Sequence, residues 1–163
     1  MKEVRPTSGR VVSALFSILG ERVDGAKFLD LFAGTGRVGL EALRRGAESC
    51  VFVESVKSRA EALRKVAGDS VVLGLEVRRG VAWLTKRGMT FDVVFADPPY
   101  GAGWCEELPA VANLRGLLSE GAVFVVEHSA REELTLSQNP NNLCIISVRE
   151  YGETCLTFLQ AQE

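Results

Sequence analysis

Apolar positions along this chain alternate between two rhythms, one of helical spacing and one of short unbroken runs. Val11, Val12, Leu15, Phe16 and Leu19 recur at helical spacing behind Thr7 and Ser8, either of which suits an N-cap; Gly20 is placed to end that helix. Residues 27–32 form a short apolar run that stops at Ala33-Gly34, the pattern of a buried parallel strand. A helix through Val38, Leu40, Ala42 and Leu43 follows, closed by Gly46. The rhythm then repeats. Residues 49–54 predict a second strand and 57–66 a helix. Residues 71–77 predict a weaker third strand, with a helix around 83–87. Residues 91–96 predict a fourth strand ending at Asp97-Pro98-Pro99-Tyr100, then a helix over 114–118 and a fifth strand over 122–127.

The C-terminal stretch changes character. Two strand-like runs, 143–149 and 154–159, flank the turn Tyr151-Gly152-Glu153, and Asn139-Pro140-Asn141-Asn142 before them is a loop. Strands alternating with helices imply an α/β fold whose mostly parallel sheet is covered on both faces, with a C-terminal antiparallel hairpin. No repeat, low-complexity tract or linker interrupts the chain. One domain over 1–163 is expected, with 1–25 as an N-terminal helical segment leading into it.

Composition narrows the classes of function. The 163 residues are 47% hydrophobic and 25% charged, ordinary for a globular protein. No apolar run is long enough to span a bilayer, and Met1 to Pro6 lacks the apolar core of a secretion signal, so a cytoplasmic protein without membrane contact is expected. Cys50, Cys105, Cys144 and Cys155 show no metal-ligand spacing. Cys50 and Cys144 lie in apolar runs, so free thiols and no metal are expected. The net charge of −2 is unevenly spread: residues 1–96 carry +5 and residues 97–163 carry −7. A basic face can therefore exist on an acidic protein, although the asymmetry is equally what a solvated surface would show. A monomer is the default expectation.

Gly34-Thr35-Gly36-Arg37-Val38-Gly39 fits G-x-G-x-x-G between a predicted strand and a predicted helix. Such a loop lets a ligand approach the backbone closely. Glu54, ending the next strand, offers a carboxylate to two ribose hydroxyls. Asp30, four residues before Gly34, is expected near the crevice. There it would repel a dinucleotide pyrophosphate but favour the ammonium and sulfonium of S-adenosylmethionine. On that reading the ligand is the methyl donor; the alternative is a nucleotide-binding oxidoreductase.

Asp97-Pro98-Pro99-Tyr100 is expected at the same carboxyl edge of the sheet. A planar amine conjugated with its ring is a poor nucleophile because its lone pair is delocalised. Two acceptors, an Asp97 oxygen and the Pro98 carbonyl, can hold both N–H groups and aim the lone pair. Pro98 and Pro99 stiffen the corner and bring no competing N–H, and Tyr100 offers a flat face for a base or amide.

Together these segments resemble the class I methyltransferases, and specifically the bacterial enzymes that methylate guanine N2 in small-subunit ribosomal RNA. Arg5-Pro6-Thr7 with Arg10 and Leu15-Phe16, residues 29–36, residues 39–43, Arg45-Gly46-Ala47, and Phe91-Asp92 with residues 97–100 carry that resemblance. It implies a Rossmann-like, seven-stranded sheet with the last strand antiparallel. It implies a donor site of Asp30, Phe32, Ala33, Gly34, Thr35, Gly36, Glu54 and Ser55, and a guanine flipped beside Asp97 and Tyr100. The family often places an acid after the third strand to meet the donor's adenine. Arg78-Arg79-Gly80-Val81 has none, so backbone near Val81 is expected to serve. The implied partner is ribosomal RNA or a small-subunit ribonucleoprotein. Arg5, Thr7, Arg10 and Arg37 are expected as a phosphate-contacting rim, with Trp104 roofing the base pocket. Protein amides and DNA adenine remain alternative acceptors. His128 is expected to be structural or at the rim, and Trp83 to be core.

Overall fold

The computed structural model describes residues 8–162. Its first helix, α1 (Gly9–Leu19), begins where Ser8, rather than Thr7, accepts the Val11 N–H. It ends at Gly20, whose N–H still meets the Phe16 carbonyl and whose positive φ then turns the chain out of the helix. The apolar stripe of Val11, Val12, Leu15, Phe16 and Leu19 is buried, as its spacing predicts.

Five strands follow in the order β1 (Lys27–Leu31), β2 (Ser49–Val53), β3 (Val71–Leu73), β4 (Phe91–Ala96) and β5 (Leu118–Ser129). Between them lie α2 (Arg37–Arg44), α3 (Lys57–Val66), α4 (Val77–Lys86) and the one-turn α5 (Trp104–Glu107). The chain closes with the hairpin β6 (Leu143–Tyr151) and β7 (Thr154–Ala161). All seven strands form one sheet in the order β3-β2-β1-β4-β5-β7-β6; β1 to β5 are mutually parallel, and β7 runs antiparallel to both β5 and β6. The chain leaves β1 toward β2 on one side and returns to β4 on the other. That reversal opens a crevice at the carboxyl edge between β1 and β4.

Two hydrophobic layers sandwich the sheet. Phe16, Phe28, Phe52, Leu63 and Phe95 belong to the face covered by α1, α2 and α3. Leu29, Leu31, Leu84, Phe91 and Phe124 belong to the face covered by α4 and the segments after β4. Each such side chain contributes roughly 1.5–3 kcal/mol through removal from water. At the amino edge, opposite the crevice, Asp92 accepts the Lys27 N–H at 2.9 Å and the Ser119 hydroxyl at 2.7 Å, clamping β4 to its neighbours. Those bonds hold its carboxyl below the usual range.

Three predicted elements differ. The third strand stops at Leu73 instead of 77, and α4 begins at Val77, well before the helix predicted around 83–87. Glu76 caps α4 by accepting the Arg78 N–H, a start signal hidden inside an apolar-looking run. The helix predicted over 114–118 is a 3-10 turn at Leu114–Leu117, after which Leu118 already joins β5. Leu114 and Leu117 are both buried, so spacing of three is satisfied equally by the tighter helix.

Candidate active site

The glycine loop occupies the carboxyl end of β1. Phe32 has φ 58°, Gly34 58° and Gly36 80°, so the loop alternates into left-handed backbone three times. For a bulky residue such as Phe32 that conformation is an outlier, kept only where surrounding contacts enforce it. Ala33 donates its N–H to the Val53 carbonyl at 2.9 Å and accepts from Gly36 at 2.8 Å, tying the loop to β2. Gly39 packs α2 onto β2 so closely that an added Cβ would stand 2.4 Å from Phe52 and 2.7 Å from the Cys50 sulfur.

Glu54 lies past the end of β2 and is buried. Its Oε1 accepts the Gly34 N–H at 2.8 Å and its Oε2 accepts the Val56 N–H at 2.8 Å, with Arg59 Nη1 at 3.9 Å. Each carboxylate oxygen has two lone pairs, so acceptor capacity is left beside the loop. Ser55 and Thr35 are exposed next to it.

Asp30 does not face the crevice as its position in the sequence suggests. It is 2% exposed, on the helix-covered face of β1, and accepts the Gly39 N–H at 3.0 Å. Burial pushes its pKa up to about 8, against the lowering effect of that hydrogen bond; the nearby Glu54 charge adds to the rise. A largely protonated, sealed carboxyl offers little attraction to an ammonium or a sulfonium. Its work is to anchor α2 behind the loop, so the argument against a dinucleotide ligand falls to the other residues of the site.

Across the crevice, the segment after β4 is held from several directions. Pro98 is buried, Asp97 and Tyr100 are half-buried, and Pro99 is exposed. The Tyr100 hydroxyl lies 3.1 Å from Thr154 Oγ1 on β7, and Glu132 accepts the Gly101 N–H. The next residues lean the other way. Trp104 sets its ring against Phe32 edge to face, with centroids 4.9 Å apart, and the Arg78 guanidinium stacks 4.6 Å from its centroid. Arg78 also pairs with Glu76 at 3.1 Å and with Glu107 at 3.0 Å. Residues 97–104 therefore stretch over the crevice from β7 to the glycine loop.

Several sequence expectations are relocated by this geometry. Trp104 sits by Phe32 and α4, on the glycine-loop side of the crevice. Val81 is the fifth residue of α4 with a fully buried side chain, and its N–H lies within the helix; it has nothing to offer a ligand. An acid does follow the true end of β3: Glu76, which caps α4 and pairs with Arg78. Arg37 approaches the start of α1, with its Nη2 3.2 Å from where a Gly9 Cβ would stand, and Arg10 lies 5.9 Å from the Tyr151 ring centroid. These two arginines share one end of α1; Arg5 and Thr7 lie outside the described residues. His128 is buried between Ser129 and Thr157: Nδ1 donates to the Ser129 carbonyl at 2.9 Å, and Nε2 lies 2.7 Å from the Thr157 hydroxyl, which is a structural tie. All four cysteines are free thiols, with Cys144 only partly buried. No helix among the described residues is long and apolar enough to cross a membrane.

Glu76, Arg78, Glu132 and Thr154 were not singled out by the sequence. None of them carried a readable signal: Glu76 precedes Val77-Arg78-Arg79-Gly80-Val81, whose valines and glycine mask a helix start.

Comparison with known proteins gives concordant matches. The family model described as Conserved hypothetical protein 95 matches residues 1–160. YlbH of Bacillus subtilis, named provisionally as an rRNA methyltransferase, is 32% identical over 157 residues, 92% of this chain and 84% of that protein. Ribosomal RNA small subunit methyltransferase D of Escherichia coli is 32% identical over 136 residues, covering 80% and 67% of the two chains. Among solved structures, yhhF of Escherichia coli, described provisionally as a methyltransferase, superposes with a TM-score of 0.82 at 28% identity, over 99% of this chain and 91% of that one.

Proposed function

The chain belongs to the Conserved hypothetical protein 95 family, the family of ribosomal RNA small subunit methyltransferase D, and from that premise we propose that it methylates the exocyclic N2 of a guanine in small-subunit ribosomal RNA, with S-adenosylmethionine as donor. The observation that carries this reading is the facing of two corners over one crevice: a glycine loop with a ribose-competent carboxylate, and Asp97-Pro98-Pro99-Tyr100 opposite it.

The residues present fit the donor. Glu54 has acceptor capacity for ribose hydroxyls beside backbone that its own bonds hold in place, and the left-handed turns at Gly34 and Gly36 let a ligand approach the main chain. When bound, S-adenosylmethionine supplies a methyl carbon activated by its sulfonium. The protein's part is orientation. An Asp97 oxygen and the Pro98 carbonyl accept the two N–H groups of the guanine amine, and the Tyr100 ring stacks on the base while its hydroxyl is steadied by Thr154. The nitrogen becomes acidic once methylated, so its proton can leave to water and no general base is required. Arg10 and Arg37 supply positive charge beside the site for RNA phosphates.

The test is methyl transfer from labelled S-adenosylmethionine to unmodified bacterial small-subunit RNA, naked and assembled with its proteins. Label recovered as N2-methylguanosine is the expected result. Donor binding without transfer to either form would overturn the RNA assignment and leave protein amides and DNA adenine as acceptors of the same chemistry.

A further inference from the structure

Taking the methyl-donor reading of the site as given, we infer that Trp104, clamped by Arg78 and set against Phe32, is a wall of the donor pocket, and that Arg78 is a positioning residue that holds the Trp104 ring in that place.

Three separate parts of the chain meet at this cluster. Phe32 follows β1, Arg78 lies in the first turn of α4 after β3, and Trp104 opens α5 eight residues after β4. They converge at the carboxyl edge beside the point where the strand order reverses, where a ligand of this fold lies. Phe32 and Trp104 are both only partly buried, although each packs against the core on one side. Phe32 also keeps left-handed backbone that a phenylalanine rarely adopts, a strain that ordinary core packing does not call for. Two half-open aromatic rings at the crevice suit a flat, weakly polar group such as the adenine of the donor.

Arg78 links that wall to the catalytic segment. Its guanidinium stacks on Trp104 while its two terminal nitrogens reach Glu76 at the cap of α4 and Glu107 at the end of α5. The planar fork can stack and pair at once, which a lysine cannot reproduce. The pairs are half exposed, so they add little to global stability. Their consequence is local. The chain from Asp97 to Glu107 is already held by β4, by Tyr100 on Thr154, by Gly101 on Glu132 and by the Cys105 carbonyl on the Thr135 N–H, so freeing Arg78 loosens the Trp104 ring and little else.

The test uses the full chain. Calorimetric binding of S-adenosylhomocysteine is compared for the unaltered protein, Trp104→Ala, Arg78→Ala and Arg78→Lys, alongside melting temperature. Trp104→Ala and Arg78→Ala are expected to weaken binding by about tenfold, as loss of an aromatic stacking partner does, with melting temperature nearly unchanged for Arg78→Ala. Arg78→Lys should fall between, because it keeps the charge and loses the stack. In a Trp83→Phe background Trp104 is the only tryptophan left. Its emission should change on binding, and that change should shrink when Arg78→Ala is added. Tight binding by the unaltered protein that both alanine variants retain would overturn the inference and leave the donor reading standing. Absence of binding by the unaltered protein would overturn the donor reading, and this inference with it.

Discussion

The two sides of the crevice are built by different means. On the glycine-loop side, buried carboxylates hold backbone over short sequence distances: Asp30 holds Gly39, and Glu54 holds Gly34 and Val56. On the proline side, side chains far apart in sequence do the holding: Tyr100 with Thr154, Gly101 with Glu132, Trp104 with Phe32, and Arg78 with Glu107. The first side is a sealed unit of consecutive elements, from β1 through α2 to the end of β2. The second is assembled only when the C-terminal hairpin, the loop after β5 and α4 arrive around it. Donor affinity and catalytic alignment should therefore respond to different substitutions.

The largest separation is expected at Asp97. Asp97→Ala should lower kcat by on the order of 10³-fold while leaving donor affinity within a few-fold, because it removes an acceptor aimed at the reacting amine. Parallel loss of donor binding, seen by calorimetry, would show that the two corners are not independent. Glu54→Ala should do the reverse. It should weaken donor binding by about 1.5–3 kcal/mol, the worth of hydrogen bonds to a charged group, and an unchanged dissociation constant would remove Glu54 from the site.

Gly39→Ala tests how rigid the glycine side is. The added methyl overlaps Phe52 and Cys50, so overpacking should cost about 1–3 kcal/mol and outweigh the roughly 1 kcal/mol of helix propensity gained. Urea unfolding reads the net loss; a stabilised variant would mean that α2 moves freely. Thr154→Val addresses the opposite corner. It removes the partner of the Tyr100 hydroxyl and should cost about 1 kcal/mol, with kcat reduced and donor affinity intact. Loss of donor affinity in that variant would place Tyr100 on the wrong side of the comparison.

The last contrast is a slope. Asp30 gives up its proton near pH 4 in the unfolded chain and near pH 8 in the folded one, so the folded state binds more protons between those limits. The stabilisation is complete below about pH 4 and is lost as pH rises toward 8. Asp30→Asn keeps an acceptor for the Gly39 N–H and does not titrate. Its unfolding free energy should fall less steeply with pH over that window than that of the unaltered protein, and identical slopes would refute a retained proton.

The glycine-loop side was the more legible because its information is local. Residues 27–66 were predicted as strand, loop, helix, strand and helix, and they fold so, with α3 at Lys57–Val66 as expected. Even there, the orientation of Asp30 was misread, since a position near the end of a strand does not say which face it takes. Along the proline side, Asp97 to Tyr100 was visible as a motif, but its supports were not. Thr154 lies 54 residues from Tyr100, and nothing in either neighbourhood announces the pair.

By itself the sequence determined the kind of layers and most of their edges. Period-2 and period-3.6 patterns and helix caps act over a few residues, and burial of the apolar runs leaves them one consistent arrangement. The tertiary structure alone decided which way Asp30 points, that Glu76 follows the end of β3, that Val81 is core, and that Trp104 turns toward Phe32 and Arg78. Those outcomes depend on which strands become neighbours and how the connecting segments cross the crevice. They are set by packing between residues distant along the chain, which no local pattern records.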